Sequence, residues 1–141
     1  MERKASAVWK GSLKEGQGTV SSASGVLAET QYSFASRFEE GIGTNPEELI
    51  GAAHAGCFSM ALSAILGEAG FVPESVATKA TVTLKPVDGA PTVTGIHLEV
   101  EARVPGASAE AFMEAAEKAK TGCPISRVLK TEITMDAKLV G

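Results

Sequence analysis

Cys57 and Cys123 are the only cysteines in 141 residues, and His54 and His97 are the only histidines. Few side chains can therefore do nucleophilic or metal chemistry. Cys57 lies in "NPEELIGAAHAGCFSMALSAILGEAGF", residues 45–71, in the middle of what reads as a long apolar helix. Burial in such a helix raises a thiol pKa, so Cys57 is a nucleophile only if a cation stands nearby. The alternative is a small core filler, a common fate of free cysteine. Cys123 directly precedes Pro124, and proline favours the first turn of a helix. That places the Cys123 sulfur at a helix N-terminus, where the dipole favours thiolate. The two cysteines are too far apart in sequence for a CxxC redox motif, and too few for a four-cysteine zinc site.

The candidate cations are Arg3, Arg37, Arg103 and Arg127. Arg37 stands out, because Phe34 and Phe38 flank it and it shortly precedes the cysteine helix. A carboxylate, Glu47 or Glu48, could orient it. The plainer alternative is a solvated arginine beside Glu39 and Glu40. His54 is three residues before Cys57 and on roughly the same helix face. It could act as a base for that thiol, join it as a metal ligand, or simply be a hydrogen-bonded helix residue. One histidine and one cysteine fall short of the three or four ligands zinc takes, and neither metal nor cofactor is expected. His97 falls in a strand pattern with no acidic or thiol neighbour along the chain. A serine hydrolase has less support, since GxSxG is absent.

The elements that must hold these residues follow from pattern. Lys4 to Gly11 and Thr19 to Ser24 read as a hairpin. In "YSFASRF", Tyr32, Phe34, Ser36 and Phe38 share one face of an extended segment. "TNPEEL" is a helix start, with Thr44 or Asn45 as cap, Pro46 in the first turn and two glutamates at the positive end of the dipole. No breaker follows until Gly67 and Gly70, so the helix has about 22 residues, or about 33 Å. Its middle is apolar or small nearly all round, as in a helix buried at the centre of a molecule. Small residues at 51, 52, 53, 55 and 56 admit another backbone, and one domain of this size would struggle to surround such a helix. Both points suggest a partner subunit. Ser75 to Val87 and Thr92 to Val104, joined by "DGAP", predict an antiparallel hairpin. Ala107 to Thr121 reads as a helix capped by Ser108, "CPISRVLK" as a short helix and "TEITMDAKLV" as a closing strand. The class is α+β, in one domain over residues 1–141.

The totals narrow the function classes. The net charge is −4, with 44% hydrophobic and 21% charged residues. No basic patch suits a nucleic acid. Glu and His interrupt the best apolar run short of the roughly 18 residues of a membrane span. The N-terminus lacks the apolar stretch of a signal peptide. A reducing, cytoplasmic setting follows, with the cysteines as free thiols or a redox pair.

"YSFASRFEEGIGTNPEELIGAAHAGCFSMALS", with "GCPIS" further on and "WKGSLKEGQGTVSSASGVL" before it, resembles the osmotically inducible protein C and organic hydroperoxide resistance family (OsmC/Ohr). The resemblance covers nearly the whole chain. It implies antiparallel sheets around a long central helix, in an intertwined homodimer with two active sites. It also implies a thiol peroxidase that prefers organic hydroperoxides. Carried over, Cys57 is the peroxidatic thiol, Cys123 resolves it, and Arg37 and Glu47 support the first thiol. The hydroperoxide-resistance branch takes its arginine from the N-terminal hairpin, where this chain has only Lys10 and Lys14. Arg37 in "YSFASRF" matches the osmotically inducible branch. The implied reductant is an external dithiol, such as a lipoylated protein. Phe34, Phe38, Phe58 and Met60 either line an apolar substrate mouth or pack the core. The rival function is a non-catalytic dimer, a small-molecule binder or scaffold, whose buried thiols are inert.

Overall fold

Alternating small and polar residues near the N-terminus form β1 (Ala5–Lys10) and β2 (Gln17–Ser22), paired antiparallel with Ala5 opposite Ser22. β3 (Thr30–Tyr32) adds antiparallel to β2. The computed structural model describes residues 1–141, and these strands belong to the first of two compact units, Met1–Leu49 and Ile50–Gly141. The segment after β3 corrects the extended reading of "YSFASRF": Phe34–Phe38 is a short helix, α1. Ser33 caps it, its hydroxyl accepting the Ser36 N–H at 3.1 Å while the Ser36 hydroxyl accepts the Ser33 N–H at 2.8 Å. This reciprocal cap satisfies two amide donors locally, which five alternating residues without a partner strand cannot do. Phe34 and Phe38 then stack four residues apart on one face, ring centroids 4.9 Å apart.

α2 (Pro46–Glu68) starts as its sequence predicts. The Asn45 carboxamide oxygen accepts the Glu48 N–H at 2.8 Å, and its amide nitrogen donates to the Ser36 carbonyl at 3.0 Å. Asn45→Ala removes both bonds at once. We expect it to lower stability by about 1–2 kcal/mol, read as a shift of the urea unfolding midpoint; an unchanged midpoint would show the cap to be dispensable.

Along α2, His54, Phe58, Leu62 and Leu66 recur every fourth residue and are all fully buried. Ala52, Ala53, Gly56, Met60 and Ala64 are exposed. Within one chain the helix is thus buried along a single face. By length and composition it is also long and apolar enough to cross a membrane, with 28% of its most apolar window buried. This corrects the expectation that charge interrupts every such run. Residues 50–67 contain no Asp, Glu, Lys or Arg. His54, the one interruption, lies within the buried stripe.

The second unit is built on a sheet of order β4-β5-β6: β4 (Ser75–Val87), β5 (Ala90–Arg103) and β6 (Glu132–Leu139). β4 and β5 form the expected antiparallel hairpin, but its turn is tighter, with Val87 opposite Ala90. Asp88 and Gly89 both take positive φ (52° and 81°), the geometry that two-residue hairpins require and that Asp-Gly supplies. β6 is the departure from antiparallel pairing: it lies parallel to β5, because α3 (Ala109–Gly122) and α4 (Pro124–Val128) carry the chain back first. One sheet face buries Ile96, Leu98, Val100 and Ala102 in a core shared with Phe58, Leu62, Leu66, Phe112 and Ala116. The other face is polar. There the parallel register sets His97 against Thr134 (2.6 Å) and Asp136 (3.0 Å), an acidic neighbour that lies 39 residues away along the chain.

Candidate active site

Arg37 is carried by the last turn of α1 and Glu47 by the first turn of α2, and the N-terminal unit brings them together. The guanidinium donates from Nε to one Glu47 oxygen at 2.9 Å and from Nη2 to the other at 3.1 Å. Such a fork holds the planar group in one orientation. Glu47, not Glu48, is the partner, and its side chain is 11% exposed against the Arg37 side chain's 36%. Arg37 also lies 5.2 Å from the centre of the Phe38 ring. It is therefore no freely solvated arginine: one edge is spent on the carboxylate, while Nη1 makes no hydrogen bond within the chain and can meet an anion.

Cys57 and Cys123 both belong to the C-terminal unit, and both are free thiols. Cys57 is half-buried in mid-α2; Cys123 is fully buried and caps α4. The expected helix start at Pro124 is present, and the Ser126 N–H donates to the Cys123 sulfur at 3.3 Å. The two thiols are neighbours. Burial pushes the Cys57 thiol above its ordinary value of 9.0, the Ile125 backbone N–H pulls it down, and the Cys123 thiol pushes it up. None of these three influences is a cation, so within its own unit Cys57 is a weakly ionised thiol. Neighbouring unbonded thiols are nevertheless the arrangement in which a sulfenic acid on one is trapped by the other.

His54 does not serve Cys57. Its Nε2 lies 2.7 Å from the Ser126 hydroxyl, which in turn lies 3.1 Å from the Cys123 sulfur. Burial pulls the imidazole below its ordinary pKa, so it is neutral at pH 7. No group of three or more His, Cys, Asp or Glu side chains is arranged to hold a metal ion. Ser126 is the polar residue at this site that sequence reasoning missed. Its signal was the spacing Cys123-Pro124-x-Ser126, a helix cap followed by the residue whose N–H the cap accepts.

The four aromatic and apolar candidates separate. Phe58 is fully buried in the core of the C-terminal unit, where packing accounts for it. Met60, on the opposite side of α2, is 77% exposed. Phe34 and Phe38 stack on each other beside Arg37, Phe38 being 39% exposed.

Comparison with known proteins bears on what this arrangement does. Residues 39–138 match the OsmC-like protein family. The chain is 55% identical over 139 residues to Peroxiredoxin OsmC of Escherichia coli K12, covering 99% of this chain and 97% of that one, and equally so to Peroxiredoxin OsmC of Shigella flexneri. Among solved structures, an OsmC-like protein of unknown function from Vibrio cholerae superposes with a TM-score of 0.76 at 20% identity, covering 97% of this chain and 99% of that one. The organic hydroperoxide resistance protein OhrB of Bacillus subtilis superposes with a TM-score of 0.68 at 23% identity, with 97% and 98% covered. These two likenesses share the α+β fold described above.

Proposed function

The chain belongs to the OsmC-like protein family, and from that premise we propose that it is a thiol peroxidase that reduces organic hydroperoxides, and hydrogen peroxide more weakly, to protect the cell under oxidative or osmotic stress. The observation that carries this reading is the pair of free, neighbouring thiols, Cys57 on α2 and Cys123 at the start of α4. The Cys57 thiolate attacks the terminal peroxide oxygen, the O–O bond breaks, and the alkoxide leaves and is protonated to the alcohol. Cys57 becomes a sulfenic acid. Cys123 condenses with it, releasing water and forming a disulfide before overoxidation. An external dithiol, such as a lipoylated protein, then reduces the disulfide by exchange. A reducing cytoplasmic setting suits two unbonded thiols.

The raised Cys57 pKa calls for a cation, and the Arg37–Glu47 fork is the one we assign to it. Ten residues of α2 separate Glu47 from Cys57, about 15 Å of helical rise, so the guanidinium serving each thiol is assigned to the second copy in a homodimer. The exposed small-residue face of α2 supports that assembly. A Cβ added at Gly56 meets nothing within the chain, whereas at Gly51 it would touch Val82 of β4. Phe34, Phe38 and Met60 supply apolar surface suited to the organic group of a hydroperoxide.

The same raised pKa is also what favours the rival, a dimer with inert thiols. Thiol titration separates the two. One equivalent of cumene hydroperoxide should consume both thiols of each chain and yield a Cys57–Cys123 cross-linked peptide in the mass spectrum. Two thiols that persist after peroxide would leave the inert dimer standing and remove the enzyme.

A further inference from the structure

We propose that Ser126 and His54 form a proton relay for Cys123, drawing the thiol proton away as Cys123 closes the disulfide onto oxidised Cys57. Ser126 touches the reacting sulfur; His54 is a positioning residue that acts through it. The inference rests on the peroxidase reading above and goes beyond it, since no step there needs either residue.

Three observations carry it. First, the groups form a continuous chain, Cys123 Sγ to Ser126 Oγ at 3.1 Å and Ser126 Oγ to His54 Nε2 at 2.7 Å. Second, the chain is shielded from water: His54 and Cys123 are fully buried and Ser126 is 9% exposed. Third, the His54 Nδ1 atom is buried with no hydrogen-bond partner. A histidine kept for packing would be better replaced by an apolar side chain, as at Phe58, Leu62 and Leu66 on the same stripe. One kept as a structural clamp would bond through both nitrogens. This ring instead directs its only polar contact at Ser126, and through it at the sulfur.

The directions are consistent. The Ser126 N–H already donates to the Cys123 sulfur at 3.3 Å, holding it in place whichever way the hydroxyl turns. The hydroxyl is thus free to accept from the thiol S–H and donate to Nε2, with the ring proton assigned to Nδ1. A neutral imidazole has the lone pair this requires. As the Cys123 sulfur attacks the Cys57 sulfur, the S–S bond forms and the S–O bond of the sulfenic acid breaks. The Cys123 proton passes to Ser126 Oγ while the Ser126 proton passes to Nε2. The transient imidazolium returns the proton through Ser126 Oγ, the ring's one polar contact, and the hydroxide leaving Cys57 takes it up as water. The net products are one disulfide and one water. The Cys123 sulfur is oxidised and the Cys57 sulfur is reduced from the sulfenic level.

The test is rapid mixing with cumene hydroperoxide, following Cys57 oxidation by dimedone trapping and disulfide closure by quenched-flow mass spectrometry. In Ser126→Ala and His54→Gln, Cys57 should oxidise at the parent rate, while disulfide closure should slow by about 10- to 100-fold and trapped sulfenic acid should accumulate. Glutamine can still hydrogen-bond Ser126 but cannot take a proton, so it separates a base from a mere prop. Ser126→Thr keeps the hydroxyl and should restore closure. Parent-rate closure in Ser126→Ala overturns the relay, as does equal slowing of both steps, which marks a structural defect. Should His54→Gln fail to fold, Ser126→Ala, which loses a single oxygen, decides alone. If the parent protein itself forms no sulfenic acid, the peroxidase reading falls and takes the relay with it.

Discussion

Cys57→Ser is expected to abolish catalytic peroxide reduction, lowering turnover by roughly a thousandfold or more, while Cys123→Ser keeps the first chemical step and loses the cycle. Serine keeps the size and the hydrogen-bonding capacity of the side chain, but its hydroxyl is un-ionised near neutrality and is a poor nucleophile toward oxygen. No second thiol can take over, because Cys123 is fully buried and its sulfur is held at the start of α4. Cys123→Ser leaves Cys57 able to attack. That variant should consume one equivalent of hydroperoxide, stop, and carry its oxidation onward to sulfinic acid as peroxide is raised. Dithiol-coupled turnover and the mass of Cys57 after one and ten equivalents distinguish the two. Parent-level turnover in Cys57→Ser would remove Cys57 as the nucleophile, and the peroxidase assignment with it.

The part of this that was legible in the sequence is the part written in local signals. Thr44-Asn45-Pro46-Glu47-Glu48 carries every mark of a helix start, and the start is where it was read. Cys123-Pro124 signals a capped helix in the same way. "YSFASRF" misled because five residues fit period two and a short helix equally well. Only the Ser33–Ser36 reciprocal bonds decide between them. The parallel placement of β6 depends on where two helices return the chain, which no periodicity records. His54 and Ser126 meet across 72 residues, so their partnership is tertiary and invisible to spacing. Proximity of His54 to Cys57 along the helix suggested the wrong cysteine. Three residues of α2 place the two side chains about 60° apart around the axis, and the one at 54 falls on the buried stripe.

Arg37→Met should lower the rate of Cys57 oxidation at pH 7 by about 10- to 1,000-fold, since a neighbouring cation shifts such a pKa by about 1–3 units. Burial, the largest influence on Cys57, raises its pKa, so without a cation the thiol is overwhelmingly protonated at pH 7. The direction in pH follows: the thiolate is the reactive form, its population grows as pH rises, and the Arg37→Met rate should climb tenfold per unit toward that of the parent. A defect that alkali does not relieve would place Arg37 in folding or substrate binding instead. Glu47→Gln should show a smaller loss, because the guanidinium keeps its charge and loses only its fork. Mixing subunits then tests which copy supplies the arginine. On the proposed homodimer, Cys57→Ser and Arg37→Met are each expected to be impaired alone. If arginine and thiol come from different copies, each mixed dimer regains one site with both groups intact. Unfolding and refolding a one-to-one mixture, with mixed dimers making up about half, should therefore return about a quarter of the parent activity. If both groups came from the same copy, every site in the mixed dimer would still lack one of them and no activity would return. The exposed face of α2 would then need another explanation.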